Sequence, residues 1–504
     1  MLLFLLFLFP TLVSAVIESQ DIPFLADKGL DLFFLSRYYF SFVFLNTLPY
    51  FYLFRLIRNK KILTGVSCVR YFYVFLIVFS FTLTGHLPNK SVLLSCFDTN
   101  FKETKEFFIS LPLRFYVVSF LYWGVFFILL HKAKQNLIKE RKDIFLPAVC
   151  VLFFTVFSIA TQFENNLFRQ TADAYETYQH IKKFTVDLNH SSADEKIVVT
   201  DKAPSLKRTI VIMIGESESA SVFNEHLPQF FDLLGENKRD LILIPKAETT
   251  ATQTLVVLKH LFLHPAKNDP NKKFNLLNLY RQNGFKTFWL SNHFKQGKRC
   301  DDFLYAMTGN VSYRKYYNLY DFNTIFDYGN DFYDEILVEG LKEALADPAE
   351  KKIIFLHLYG SHNYFKNRYP DDFRSPLVEQ KEKEKYTIAE HYKNAAAYTN
   401  TVLVKVLSTL QNQKEPTAAA YFSDHGDDPV NPYARNYNII KNVPLFFWLS
   451  KEYQKQFPTR FKNLSCLQYV YFLNLPYILN KIIGVDITDI SAAPEITSCF
   501  TKGK

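Results

Sequence analysis

Chemistry-bearing side chains in this sequence fall at the ends of short apolar runs. TIVIMI (209–214) stops at Gly215-Glu216-Ser217, and KTFWL (286–290) stops at Ser291-Asn292-His293. KKIIFLHLYGSH carries His357 and His362, and AAAYF (418–422) gives way to Ser423-Asp424-His425-Gly426. LILI (241–244) runs through Pro245 into a hydroxyl-rich loop containing Thr249, Thr250, Thr252 and Thr254. Taken singly, each is an ordinary helix cap, turn or surface group. Together they supply carboxylate and imidazole ligands of the kind zinc takes. A hydroxyl joined to such a set is readily deprotonated. A threonine at a helix N-terminus also faces unpaired N–H groups, a corner suited to an anionic phosphorus centre.

For these residues to meet, the runs must lie side by side. Helical patterns near 227–235, 254–263, 274–283, 331–346, 385–411 and 466–484 alternate with the apolar runs. Strand and helix alternating in this way predict an α/β sandwich around a largely parallel sheet. Ligands of such sheets bind beyond the carboxyl ends of the strands, where the polar residues are.

The first third of the chain is different. Five apolar stretches, 2–17, 33–57, 71–87, 112–130 and 144–160, approach the ~20 residues that cross a bilayer. The loop after the second carries Arg55, Arg58, Lys60, Lys61 and Arg70, and the loop after the fourth Lys132, Lys134, Lys139, Arg141 and Lys142 against Glu140 and Asp143. Those loops hold nearly all of the chain's net charge of +9, so its basicity is a positive-inside pattern and not a nucleic-acid patch. Five retained spans put the N-terminus inside and everything after 160 outside. The first stretch lacks a basic leader, which favours a retained span over a cleaved signal. The expected organisation is a five-helix transmembrane domain (1–160), a linker (161–207) and a soluble catalytic domain (208–504). In the linker, Phe168, Tyr175, Tyr178 and Ile181 fall on one face of an amphipathic helix, which either lies on the membrane or packs on the soluble domain. The six cysteines include no CxxC. Cys466 and Cys499, both exported, are expected to form a disulfide, with two buried thiols as the alternative.

GES (215–217), the threonine loop, LHLYGSHNYFKNRYP (356–370), HYKNAAAYTN (391–400) and YFSDHGDD (421–428) occur in one order. In these motifs, and in its five apolar stretches, the chain resembles the phosphoethanolamine transferases of Gram-negative bacteria, of the alkaline phosphatase/sulfatase superfamily. The resemblance implies Glu216, Asp424 and His425 as zinc ligands, joined by a nucleophilic threonine. Thr252 takes that place in an ungapped alignment and Thr254 is the alternative, because it opens the following helix. His362 matches a histidine that contacts the phosphoryl group, and Asn292, His293, His357 and Arg435 are expected to bind substrate. The chain departs from the family in lacking a histidine after His425 and an arginine soon after GES, and in having Asp427 where a glutamate is usual.

The activity so implied is zinc-dependent transfer of phosphoethanolamine from phosphatidylethanolamine to lipid A or lipopolysaccharide core, through a covalent threonine intermediate. The site would face the periplasm from the inner membrane, in a monomer. Alternatives are a phosphoglycerol transferase or phosphohydrolase of the same superfamily, and a non-catalytic membrane protein retaining the fold. Few ionisable residues fall within the apolar stretches, which argues against a transporter.

Overall fold

The computed structural model describes residues 2–18, 60–84 and 113–135, isolated positions between them and up to 179, and most of 197–501. Within that last range, 268, 296–303, 305, 306, 320–332, 363 and 430–435 are not described. The chain divides into two compact units, Met1–Tyr178 and Gln179–Asn431 with Arg435–Lys504.

In the first unit, helices α1 (Leu2–Glu18), α2 (Lys60–Thr84) and α3 (Leu113–Gln135) pack through aromatic side chains. The Tyr71 hydroxyl donates to the Leu6 carbonyl (2.9 Å), and Tyr122 donates to the Tyr71 carbonyl (3.0 Å). Those bonds satisfy phenols buried among Phe9, Phe126 and Trp123. Among the described residues one helix, Phe115–Gln135, is long and apolar enough to cross a membrane, and Leu63–Phe79 is a shorter apolar helix. The stretches 33–57 and 144–160 lie outside the described residues apart from one isolated position, as do Phe168, Ile181 and Arg435; the linker is helical at 171–176.

The second unit is built on a seven-stranded sheet. Its strands in chain order are β1 (Arg208–Gly215), β2 (Leu241–Leu243), β3 (Lys286–Lys295), β4 (Tyr313–Leu319), β5 (Lys351–His357), β6 (Thr417–Ser423) and β7 (Leu445–Leu449). They lie in the order β2-β7-β6-β1-β5-β3-β4. The five from β6 to β4 are parallel, and β7 is antiparallel to both of its neighbours.

Side chains of β1 alternate between two cores, as a strand covered on both faces must. Ile210, Ile212 and Ile214 enter one core with helix α4 (Ala220–Leu234) absent and α5 (Thr254–Phe262) present through Leu255, Leu258 and Phe262. Val211 and Met213 enter the other, with α4, α6 (Ile336–Leu345) and α7 (Ile388–Gln411). Each large apolar side chain so buried contributes roughly 1.5–3 kcal/mol. Cys466 and Cys499 form a disulfide, the expected pairing.

Register decides where the chemistry falls. Ser423 pairs with Gly215, Ile214 with His357, and His357 with Ser291. Residues 216, 358 and 424 therefore leave three adjacent strands at nearly one level, and Asn292 stands beside them within β3. The predicted helix over 466–484 is instead a short strand, Tyr469–Tyr471, followed by helix Leu475–Ile483.

Candidate active site

Glu216 emerges from β1, is 1% exposed, and is followed by Ser217 at φ 60, a left-handed backbone that is costly for serine. The conformation is held from two sides. The Ser217 N–H donates to Asp424 Oδ1 (3.1 Å), and the Tyr392 hydroxyl of α7 donates to the Ser217 carbonyl (2.8 Å). Asp424 Oδ1 also accepts the His425 N–H (2.7 Å). The turn after β6 is thereby bound to the turn after β1.

Gly360 brings in the third segment. Its φ is +51, and a Cβ there would lie 2.8 Å from the Glu216 carbonyl oxygen and 2.9 Å from the Glu216 nitrogen. Only glycine allows that approach. The Ser361 N–H donates to the Glu216 carbonyl (2.9 Å), and buried Asp334 accepts from the N–H groups of Tyr359 and Gly360 (both 2.8 Å).

Thr254 supplies the fourth. It is the first residue of α5, whose preceding residue Gln253 makes no side-chain cap. Its hydroxyl lies 3.0 Å from both Glu216 carboxylate oxygens. The Thr252 hydroxyl instead accepts from the Gln253 side-chain amide (2.8 Å). Of the two candidate threonines, Thr254 is the one in the carboxylate cluster, because the helix begins there and turns its first side chain towards β1.

His425 Nε2 lies 3.2 Å from Glu216 Oε1 and 3.6 Å from Asp424 Oδ2. Its Nδ1 donates to the Gly426 carbonyl (3.0 Å), which orients Nε2 towards the carboxylates. One ligand atom from each of Glu216, Asp424 and His425 falls within 4.8 Å of the others. Asp424 Oδ2 is buried without a hydrogen-bond partner, the orphan expected of an atom waiting for a cation. Two carboxylates, one imidazole and one hydroxyl match the donors zinc takes, so the residues fit that ion.

The electrostatics of the cluster point the same way. Burial and the neighbouring Glu216 charge push Asp424 up to about 7. Burial alone would lower His425, but the Asp424 and Glu216 charges outweigh it and hold the imidazolium up to about 10. Burial would raise Glu216, yet its bond to His425 and the surrounding imidazoles keep it below the usual carboxylate range. The two carboxylates thus favour a positive charge beside them, which a cation would also supply.

Beside Glu216 lies an arc of histidines. The His293 and His357 rings stack at 4.0 Å, and His362 stacks on Tyr359. Burial holds His357 well below its ordinary value and brings His362 to about 3, so both are neutral. Asn292 is 1% exposed and its amide is engaged internally, donating to Asp334 (2.9 Å) and accepting from Asn318 (3.0 Å). Asp334, Tyr392 and Gly360 were not singled out by sequence reasoning. Tyr392 lies inside the HYKN motif and Gly360 inside GSH, but Asp334 reads only as the lead-in to a helix.

The model of the family described as Sulfatase matches residues 208–468, just over half of the chain. The chain belongs to the sulfatase family. Among curated relatives, phosphoethanolamine transferase EptC of Escherichia coli K12 is 23% identical over 431 residues, covering 76% of this chain and 73% of its own. Among solved structures, the integral membrane lipooligosaccharide phosphoethanolamine transferase A of Neisseria meningitidis covers 95% of both chains with a TM-score of 0.61 at 18% identity. The C-terminal periplasmic domain of EptC from Escherichia coli, crystallised in complex with Zn, covers 58% of this chain and 87% of its own with a TM-score of 0.50 at 23% identity. These structures share the fold of this chain, and the first shares it along nearly the whole length. The second unit is a sulfatase-type α/β domain with its polar cluster at the carboxyl ends of its parallel strands.

Proposed function

We propose that this sulfatase-family protein is a zinc-dependent phosphoethanolamine transferase, anchored in the inner membrane with its catalytic unit in the periplasm. The donor is phosphatidylethanolamine and the acceptor a hydroxyl or phosphate of lipid A or the lipopolysaccharide core. The observation that carries the reading is the Thr254 hydroxyl, 3.0 Å from both oxygens of buried Glu216 at the uncapped start of a helix. Relatives named as phosphoethanolamine transferases support the choice of group transferred.

Thr254 Oγ would attack the donor phosphorus as the bond to the diacylglycerol oxygen breaks, and diacylglycerol would leave with a proton. The resulting phosphoethanolamine ester of Thr254 is attacked by the acceptor oxygen, and the threonine oxygen recovers a proton. One P–O bond forms for each that breaks. Glu216, Asp424, His425 and Thr254 would hold the zinc ion, which when bound supplies Lewis-acid polarisation of the phosphoryl oxygens and stabilises the threonine alkoxide. Neutral His362 is available to contact the phosphoryl group, and the free N–H groups of α5 favour its negative charge. Asp334 positions: it fixes the Gly360 backbone against Glu216 and fixes the Asn292 amide. Membrane anchoring confines both lipid substrates to the surface that carries the enzyme.

The test is headgroup transfer by the full-length protein in detergent, with phosphatidylethanolamine labelled in the ethanolamine carbons and a lipopolysaccharide acceptor. Label in the acceptor and diacylglycerol among the products are expected. Transfer of glycerol-labelled headgroup from phosphatidylglycerol instead would overturn the assignment.

A further inference from the structure

We propose that Arg368 is a positioning residue for the transfer, fixing the His362 imidazole through the Tyr359 ring and the His362 carbonyl. The inference rests on the function proposed above, in which His362 contacts the phosphoryl group and the RYP segment (368–370) has no part.

His362 Nδ1 is buried without a hydrogen-bond partner, and no side-chain hydrogen bond orients the ring among the described residues. A loose imidazole would spend little of its time in the geometry that a phosphoryl group needs, so packing must aim it. The ring packs on Tyr359, with centroids 5.1 Å apart and planes within 11° of parallel. The Arg368 guanidinium carbon lies 3.9 Å from the centre of the same Tyr359 ring, a cation–π contact. Arg368 Nε also donates to the His362 carbonyl (3.2 Å). One arginine thus grips both the backbone of His362 and the ring on which His362 stacks.

Arg368 is itself held. It is 6% exposed, so water competes little for its contacts. Its N–H donates to the Phe365 carbonyl (3.0 Å), closing the short 3-10 turn Phe365–Asn367. Phe365 packs edge-on against Tyr392 at 5.0 Å, the tyrosine that clamps Ser217. Tyr364, which leads into the turn, sits at φ 67, a left-handed backbone that a tyrosine adopts only where its surroundings require it. Strain of that kind gathers at sites where a side chain must be aimed. A planar guanidinium suits both tasks at once, because it stacks on a ring while donating in its own plane to a carbonyl. An ammonium can do either but does not lock the angle between them.

The test is a double-mutant cycle on headgroup transfer by full-length, zinc-loaded protein in detergent. Arg368→Gln is expected to lower kcat about 10–100-fold, the cost of an ångström-scale misplacement, with KM for phosphatidylethanolamine within about threefold of wild type. Arg368→Lys, which keeps the charge and loses the fork, is expected to fall between the two. In a His362→Ala background, Arg368→Gln is expected to cost less than about twofold more, because the group it positions is gone. Additive losses overturn the proposal, since a residue that only supports the fold, or that meets substrate itself, would still cost its full amount. Zinc content and cooperative melting confirm that each variant is folded. Should Arg368→Gln not fold, Arg368→Lys runs the same cycle. Its loss vanishes in the His362→Ala background if the proposal holds and persists if it does not. A wild type that transfers headgroup while the losses add sinks this inference alone. A wild type that transfers none sinks the proposed function, and the crystal structure of zinc-loaded Arg368→Gln then decides. A His362 ring displaced from Tyr359 supports the positioning role, and an unmoved ring rejects it.

Discussion

Replacing Gly360 with alanine tests whether the GSH turn positions Glu216 by direct backbone contact. An alanine at φ +51 costs about 1–2 kcal/mol from its left-handed conformation alone. Its Cβ would also lie 2.8 and 2.9 Å from backbone atoms of Glu216, which cannot rotate aside as a side-chain tip can. Relieving that overlap costs a further 1–3 kcal/mol or so. The movement would loosen the Ser361 bond to the Glu216 carbonyl and the Gly360 bond to Asp334. The expected total, about 2–5 kcal/mol, lowers the melting temperature of the catalytic unit by roughly 4–15 °C. Because Glu216 is displaced, zinc affinity is expected to fall about 10-fold or more. Gly235 is the control: its φ is +55, but nothing lies within 4 Å of an added Cβ. Gly235→Ala should lower the melting temperature and leave zinc affinity unchanged. Differential scanning calorimetry and competition with a zinc-chelating dye measure the two quantities. Wild-type zinc affinity in Gly360→Ala, or equal losses in both variants, would refute the argument that the turn holds Glu216 in place.

Thr254→Ala is expected to reduce headgroup transfer by about 10³-fold or more, as loss of a nucleophile does, while Thr252→Ala stays within a few-fold of wild type; steady-state transfer assays on both variants decide between the threonines. His391 accepts or donates a short bond with the Tyr369 hydroxyl (2.7 Å), and burial lowers it to about 4. The unfolded chain gains this proton below about 6.5 and the folded chain only near 4, so stability is lost as pH falls through that interval. His391→Gln should flatten the acid side of the stability-against-pH curve measured by urea unfolding, and an unchanged curve would contradict the assignment. The disulfide between Cys466 and Cys499 closes a loop of 33 residues, which stabilises by about 3–4 kcal/mol in the chain-entropy account. Cys466→Ser with Cys499→Ser should therefore melt several degrees lower than wild type, and identical melting would contradict it.

Much of the sheet was legible because a strand buried on both faces must be apolar throughout, as TIVIMI, KKIIFLH and AAAYF are. The same rule pointed to the candidate cluster, since Glu216 and Asp424 follow the points where those runs stop and His357 ends its own. Strand β4 was not legible: YRKYYNL is an edge strand and carries no continuous apolar signal. The choice between Thr252 and Thr254 turned on where α5 begins, and a helix start is uncertain by a residue or two from sequence. Asp334 escaped notice because its partners are backbone N–H groups of a turn remote in sequence, and no local pattern announces such a bond. Asn292 was expected to meet substrate, but its amide is held by Asp334 and Asn318.

The central claim is that one threonine, seated against Glu216, carries the transferred group. Full-length protein loaded with zinc and incubated with phosphatidylethanolamine, without acceptor, can be quenched in acid, digested and sequenced by tandem mass spectrometry. A phosphoethanolamine ester on Thr254, absent after chelation and discharged by added lipopolysaccharide, is the predicted result. An active, zinc-loaded protein with an unmodified Thr254, or with the adduct on another residue, would contradict it.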